Sequence, residues 1–205
     1  MTEHYTRVRK FMELAKQETP VGPVIPSEQV RLLRARLIIE EAMETVRALG
    51  VDIGVSYKSL SRDHLPITKA TIRFKMNPTR GCDFIEVLDG CADVSVVTIG
   101  TLVAFGMPDG KLLEMVDESN LAKFTGDAHA DPETNKWIKP SDWVKPDLEA
   151  LATNQVSTVL GRTITTQELW DILERVSTGQ TTYEQEMSRS TSLPEFNRTN
   201  FPDAT

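Results

Sequence analysis

Tyr5, Val8, Met12 and Ala15 recur at three- and four-residue intervals, with Phe11 and Leu14 beside them, which predicts an amphipathic helix over about residues 3–17. Thr19-Pro20-Val21-Gly22-Pro23-Val24-Ile25-Pro26 ends it, because three prolines and a glycine cannot continue a helix. Ser27 reads as the N-cap of a second, longer helix, with Glu28 in the first turn, where the helix dipole favours negative charge. Val30, Leu33, Leu37, Ile38, Val46 and Leu49 carry that helix to Gly50. Residues 51–80 change character: Val55-Ser56-Tyr57-Lys58 and Ala70-Thr71-Ile72-Arg73-Phe74-Lys75-Met76 are rich in β-branched and aromatic residues, and read as a small hairpin or as a long irregular loop. From Asp83 to Phe105 the chain is apolar nearly all round, which predicts a central buried helix. Gly106-Met107-Pro108 ends it, and Asp109 reads as the cap of a fourth helix reaching about Phe124.

After Phe124 the pattern loosens. Lys136-Trp137-Ile138-Lys139-Pro140 and Trp143-Val144-Lys145-Pro146-Asp147-Leu148 read as an extended arm whose tryptophans need a surface to pack on. One further helix is expected at about 165–177, capped by Thr165 or Thr166, and the polar end from Ser188 reads as a mobile tail. The fold class is therefore all-α: a helical domain over 1–148 with an insert at 51–80, then an extension over 149–205. No internal repeat is visible.

Composition narrows the partners. Hydrophobic residues at 40% and charged residues at 26% are those of an ordinary globular chain. No run of about eighteen apolar residues is present, so no membrane span is expected. The opening Met1-Thr2-Glu3-His4-Tyr5 lacks a signal-peptide layout, and Cys82 and Cys91 are too few for a disulfide framework, so a cytoplasmic compartment is expected. A net charge of −7 disfavours a nucleic-acid partner, which would require a basic surface. It is compatible with carboxylates that hold cations.

Two of the helices carry carboxylates at spacings that gather them on one face. Glu40, Glu41 and Glu44 lie within one turn of the second helix, and Asp89 and Asp93 are four apart on the apolar one. Hard divalent ions take oxygen ligands, and like charges at this density call for a counter-ion. Taken alone, the glutamate cluster reads as a solvated face. The aspartates resist that reading, since little of so apolar a helix is expected to meet water. Glu86 reads as an ordinary surface residue. On the fourth helix Asn120 and Lys123 are three apart and offer an amide and a cation to phosphate oxygens, or else Lys123 merely completes the last turn.

The ordered set Leu37-Ile38-Ile39-Glu40-Glu41-x-x-Glu44, then Asp89-x-x-x-Asp93, then Ser119-Asn120-x-x-Lys123 resembles the MazG-like all-α nucleotide pyrophosphohydrolases, among them phosphoribosyl-ATP pyrophosphohydrolase. The likeness runs from about Val8 to Leu148, and the arm resembles the tail of phage and bacterial members. It implies a helical bundle assembled as a homodimer or homotetramer in a bacterial or phage-infected cell. It further implies Mg2+, with Mn2+ as a substitute, held by Glu41, Glu44 and Asp93, with Glu40 as a further ligand or water-activating base and either Glu40 or Glu41 as the group that takes the water's proton. Asn120 and Lys123 would face the substrate phosphates. The implied reaction turns a nucleoside triphosphate into a monophosphate and pyrophosphate; the viral MazZ branch, which acts on dGTP, makes dGTP one candidate. One departure stands out: the family often has Glu-x-x-Asp on the later helix, and the position three before Asp93 is Gly90, so Asp89 is the candidate replacement.

Three rival readings accompany this one. Phosphoribosyl-ATP pyrophosphohydrolase itself ranks lower because of the insert and the extension, and a non-catalytic helical interaction module would leave the acidic clusters facing solvent. A DNA-binding reading of Thr163–Trp170 meets the wrong charge in Asp171, Glu174 and Glu184.

Overall fold

The computed structural model describes residues 1–57 and 70–191. The middle of the insert and most of the predicted polar tail lie outside the described residues. Four helices make the framework: α1 (Glu3–Leu14), α2 (Glu28–Ala48), α3 (Phe84–Ala104) and α4 (Asp109–Ala122). The α1 periodicity is met, since Tyr5, Val8 and Met12 are its buried residues while Phe11 and Leu14 are exposed. They pack on Ile99, Val103 and Ala104 of α3, with Val30 of α2 at the edge. Ser27 caps α2 by accepting from Val30 N, and Gly50, at φ 77°, turns the chain out of it.

The insert forms a hairpin of β1 (Val51–Tyr57) and β2 (Ala70–Met76), antiparallel, with Val51, Ile53 and Val55 opposite Met76, Phe74 and Ile72. Directly opposed residues share a face, so these six form an apolar surface, and Val55, Ile72, Phe74 and Met76 on it are exposed. The hairpin is tied to the end of α2: Asn77 N donates to Gly50 O at 2.8 Å, and Asp83 N donates to Ala48 O at 2.8 Å.

Two expectations need correction. α3 is not buried all round. Its second half holds the core, but Phe84, Ile85 and Leu88 in the first half are 70%, 68% and 54% exposed, and Gly90 is the one buried residue in that half. By length and composition α3 would suffice to cross a membrane, yet it carries Asp89 and Asp93 and packs on α1 and α2. Asp109 is not the cap of α4. Pro108 holds that place without a side-chain bond, and Asp109, fully buried, accepts from Thr2 N at 2.8 Å and from Thr2 Oγ1. A tertiary partner far along the chain has claimed a residue that local rules assign to a helix end.

The arm carries a two-residue pairing of β3 (His129–Ala130) with β4 (Trp137–Ile138), and both tryptophans find the expected surface at the end of α4. Trp137 Nε1 donates to Lys123 O at 2.6 Å, and Trp143 Nε1 donates to Ser119 O at 2.9 Å. The extension holds three helices where one is predicted: α5 (Leu148–Leu160), α6 (Thr166–Ser177) and α7 (Tyr183–Thr191). Thr165 and Glu168 cap α6 reciprocally. These helices own a second core of Val156, Leu160, Ile164, Leu169, Ile172, Leu173 and Tyr183. They clasp the proline turn, where Tyr183 Oη donates to Pro23 O and Ile25 N donates to Ser177 Oγ at 2.9 Å.

Glu186 closes α7 onto α6 through Arg175 Nε and Nη2 at 3.0 and 3.1 Å, and Arg189 joins at 3.1 Å. The Arg175 hydrogen bonds hold its carboxyl below the ordinary glutamate value against the opposing effect of burial. A depressed folded-state pKa stabilises above the unfolded value, near 4.3, and that contribution is lost as pH falls through the lower folded value. Glu186→Gln should therefore cost about 1.5–3 kcal/mol at neutral pH. It should also flatten the acid limb of a stability-against-pH curve from thermal melts; an unchanged acid limb would contradict this.

Candidate active site

Glu40, Glu41 and Glu44 stand on the second half of α2, and Asp89 and Asp93 on the first half of α3, where the two helices cross. The crossing is made by Gly90, which is buried against Thr45: an added Cβ would lie 2.5 Å from Thr45 Oγ1 and 3.1 Å from Thr45 Cα. Thr45 Oγ1 in turn donates to Glu41 O at 2.7 Å. The glycine that breaks the expected Glu-x-x-Asp spacing is thus the contact that lets two acidic helices approach. The pattern itself is present one turn earlier, as Glu86-Val87-Leu88-Asp89.

Glu41 registers the crowding. Partial burial first, then the charges of Asp93, Glu44, Glu40 and Asp89 in that order, raise its pKa above the ordinary carboxylate value. All five predicted carboxylates are therefore brought into electrostatic contact. They do not converge further, since among the described residues no three His, Cys, Asp or Glu side chains are arranged to close round one ion. The donor set nevertheless suits a divalent cation in kind, being hard oxygens only. Mutual repulsion is the physical reason such side chains stand apart. Asp89 and Asp93 are exposed, contrary to the expectation of a buried helix, and Glu40 is drawn toward Arg36, whose Nε lies 2.6 Å from Oε1.

Two clefts open beside this cluster and share Glu44, Arg47 and Arg80. One, of about 420 Å³, runs from Glu40 and Glu44 past Met43 to Val51 and Ile53 at the foot of the hairpin. The other, of about 550 Å³, continues to Cys82, Asp83 and Glu86. Arg80 is oriented by Asp52 Oδ1 at 2.7 Å and Val51 O at 3.1 Å, and its buried Nε has no partner among the described residues. Sequence reasoning missed Arg47, Arg80 and Glu86. Glu86 had a visible signal in its three-residue spacing to Asp89; Arg47 stands three residues after Glu44, on the same side of α2. Arg80 had none, because only the closed hairpin returns it to the end of α2. Asn120 and Lys123 are brought together, Lys123 Nζ donating to Asn120 Oδ1 at 2.6 Å, but neither lines the two clefts. Lys123 lies instead 5.5 Å from the centre of a Trp143 ring.

Residues 6–120, more than half of the 205-residue chain, match the family described as Phosphoribosyl-ATP pyrophosphohydrolase. The chain belongs to that family. It is a MazG-like nucleotide pyrophosphohydrolase, as the carboxylate pattern implies, and it has the all-α framework of the group. No curated protein matches the chain. The match to this pyrophosphohydrolase family takes in α1, α2, the hairpin, α3 and most of α4; Lys123, the arm and α5–α7 follow it in sequence.

Proposed function

We propose that the protein hydrolyses a ribo- or deoxyribonucleoside triphosphate, with dGTP one candidate, to the monophosphate and pyrophosphate. The observation that carries this reading is the gathering of five carboxylates from α2 and α3, two of which, Glu40 and Glu44, line a cleft shared with Arg47 and Arg80 and with the apolar Met43, Val51 and Ile53. Mg2+, or Mn2+ in its place, would be held by Glu41, Glu44, Asp89 and Asp93, with Glu40 and Glu86 at the margins, and would supply positive charge to offset the triphosphate. Water attacks the α-phosphorus, the bond to the oxygen bridging the α- and β-phosphates breaks, and pyrophosphate leaves with that electron pair. Glu40 or Glu41 takes the proton of the attacking water. Arg47 and Arg80 meet phosphate oxygens, and Met43, Val51 and Ile53 offer the base an apolar wall.

A second reading, with phosphoribosyl-ATP as substrate, is favoured by the family description. Pyrophosphate release should be measured across the common ribo- and deoxyribonucleoside triphosphates and phosphoribosyl-ATP, with magnesium or manganese. At least tenfold higher kcat/KM on one of the nucleoside triphosphates is expected; a preference for phosphoribosyl-ATP would transfer the assignment, and no release from any would favour an interaction module.

The active form is proposed to be a homodimer or homotetramer. Ile39 and Met43 of α2, Phe84, Ile85 and Leu88 of α3, and Val55, Ile72, Phe74 and Met76 of the hairpin face are exposed in the single chain. So much exposed apolar surface calls for a like surface, and a second copy has one. A second copy would also be the means of bringing Asn120 and Lys123 to the phosphates. Light scattering at micromolar concentration should give at least twice the 22.9 kDa chain mass; a monomer mass would remove this assembly.

A further inference from the structure

We propose that the cleft between the end of α1 and the first half of α2 is a binding site for a phosphate-class oxyanion, with Arg34 as its buried counter-charge. Arg34 is only 6% exposed, yet no ion-pair partner for it exists among the described residues. Nη2 donates to Gln17 Oε1 and lies 3.7 Å from Met12 Sδ, while the buried Nε has no partner at all among the described residues. The packing is built to admit this side chain: a Cβ on Gly100 of α3 would lie 3.0 Å from Nη1. Burial alone pushes the guanidinium pKa below its ordinary value. A guanidinium stays protonated even so, and a buried cation without a counter-ion is among the least stable arrangements a core contains.

The cleft beside it measures about 540 Å³; Lys16, Gln17, Gln29, Arg34 and Arg36 line it with Glu18 as the single carboxylate, and Val30, Leu32 and Leu33 form its apolar wall. Arg36 is already paired with Glu40, so Lys16 and Arg34 are the cations left to a ligand, and Gln17 and Gln29 supply amide donors. Lys16 is presented by a left-handed backbone, φ 56°, which turns the chain out of α1 at this point. The site is distinct from the carboxylates. Arg34 precedes Glu41 by seven residues on α2, roughly 10 Å along the axis. A free phosphate compound and a second phosphate, remote from the triphosphate on a bound substrate, are the two sources of such an anion.

Calorimetric titration of the whole protein with inorganic phosphate, in chelator so that the carboxylates repel the anion, is expected to show one site per chain. Lys16→Asn keeps the left-handed turn and Gln29→Glu adds charge at an exposed position, so neither touches the core. Each should weaken binding about tenfold or more. Arg34→Met should abolish it. Absence of phosphate binding in the wild-type protein, or unchanged affinity in the Lys16 and Gln29 variants, would overturn the site whether or not the catalytic reading stands. The source is separated by kinetics. A rise in KM for phosphoribosyl-ATP but not for nucleoside triphosphates in Gln29→Glu assigns the anion to the substrate, and equal KM values assign it to a free phosphate compound.

Discussion

Glu44→Gln is expected to lose roughly a hundredfold or more in turnover while keeping its fold, and Asp93→Asn to do the same. Glu44 is the one of the five carboxylates common to both clefts, and it and Asp93 are two of the charges that raise the pKa of Glu41. Removing either charge leaves the apolar cores untouched, because neither side chain belongs to them. In chelator the variants should melt at the wild-type temperature or slightly above it, since a repulsion has been relieved. That combination separates the proposed role from a structural one, in which activity and melting temperature would fall together. Near wild-type kcat/KM in either variant would dismantle the site.

Gly90→Val is expected to damage both stability and activity, although it places no new group in the cleft. Valine is a better helix former than glycine by less than about 1 kcal/mol. Against that gain stands a Cβ only 2.5 Å from Thr45 Oγ1 and 3.1 Å from the Thr45 Cα, where backbone must move. Overpacking of this kind costs about 1–3 kcal/mol, a fall in Tm on the order of 2–10 °C. Parting α2 from α3 also parts Glu41 and Glu44 from Asp89 and Asp93, so turnover should fall further than the loss of folded protein explains. Gly90→Ala carries the same Cβ without the γ-methyl groups and gains about 1 kcal/mol in helix propensity, so it should be milder. Thermal melts and steady-state kinetics on both variants check this; wild-type values for Gly90→Val would mean that the helices do not meet there as closely as Thr45 indicates.

What the amino-acid order discloses depends on whether a partner is near or far along the chain. Tyr5, Val8 and Met12 declare their shared face by spacing alone, and Ser27 and Thr165 declare helix starts through bonds to residues three ahead. The carboxylates are legible for the same reason, each set lying within one or two turns of its own helix. Distant partners are not legible. Asp109 resembles a cap until Thr2 claims it, and Arg80 resembles a loop residue until the hairpin closes. α5 had a readable pattern, with Ala152, Val156, Val159 and Leu160 at helical spacing, but Thr153 and Asn154 obscured it. α7 offers only Tyr183 as an apolar anchor, so its helix is set by Arg175 and Pro23, residues that no local window contains. The exposed half of α3 misled because periodicity shows which residues are apolar and not whether one chain suffices to cover them.

The clasp between Tyr183 and Pro23 joins residues 160 positions apart. During synthesis, Pro23 leaves the ribosome long before its partner exists, and the chain between them includes all of α2, the hairpin, α3 and α4. α1 must likewise wait for Ile99 and Val103 before its buried face has anything to pack against. The bundle therefore assembles before Tyr183 reaches its proline turn, and α7, the last helix among the described residues, adds that bond. Contacts of such long reach slow folding through the entropy of loop closure. A nascent chain halted before α7 would thus carry the complete set of five clustered carboxylates on a bundle whose proline turn still lacks the Tyr183 bond.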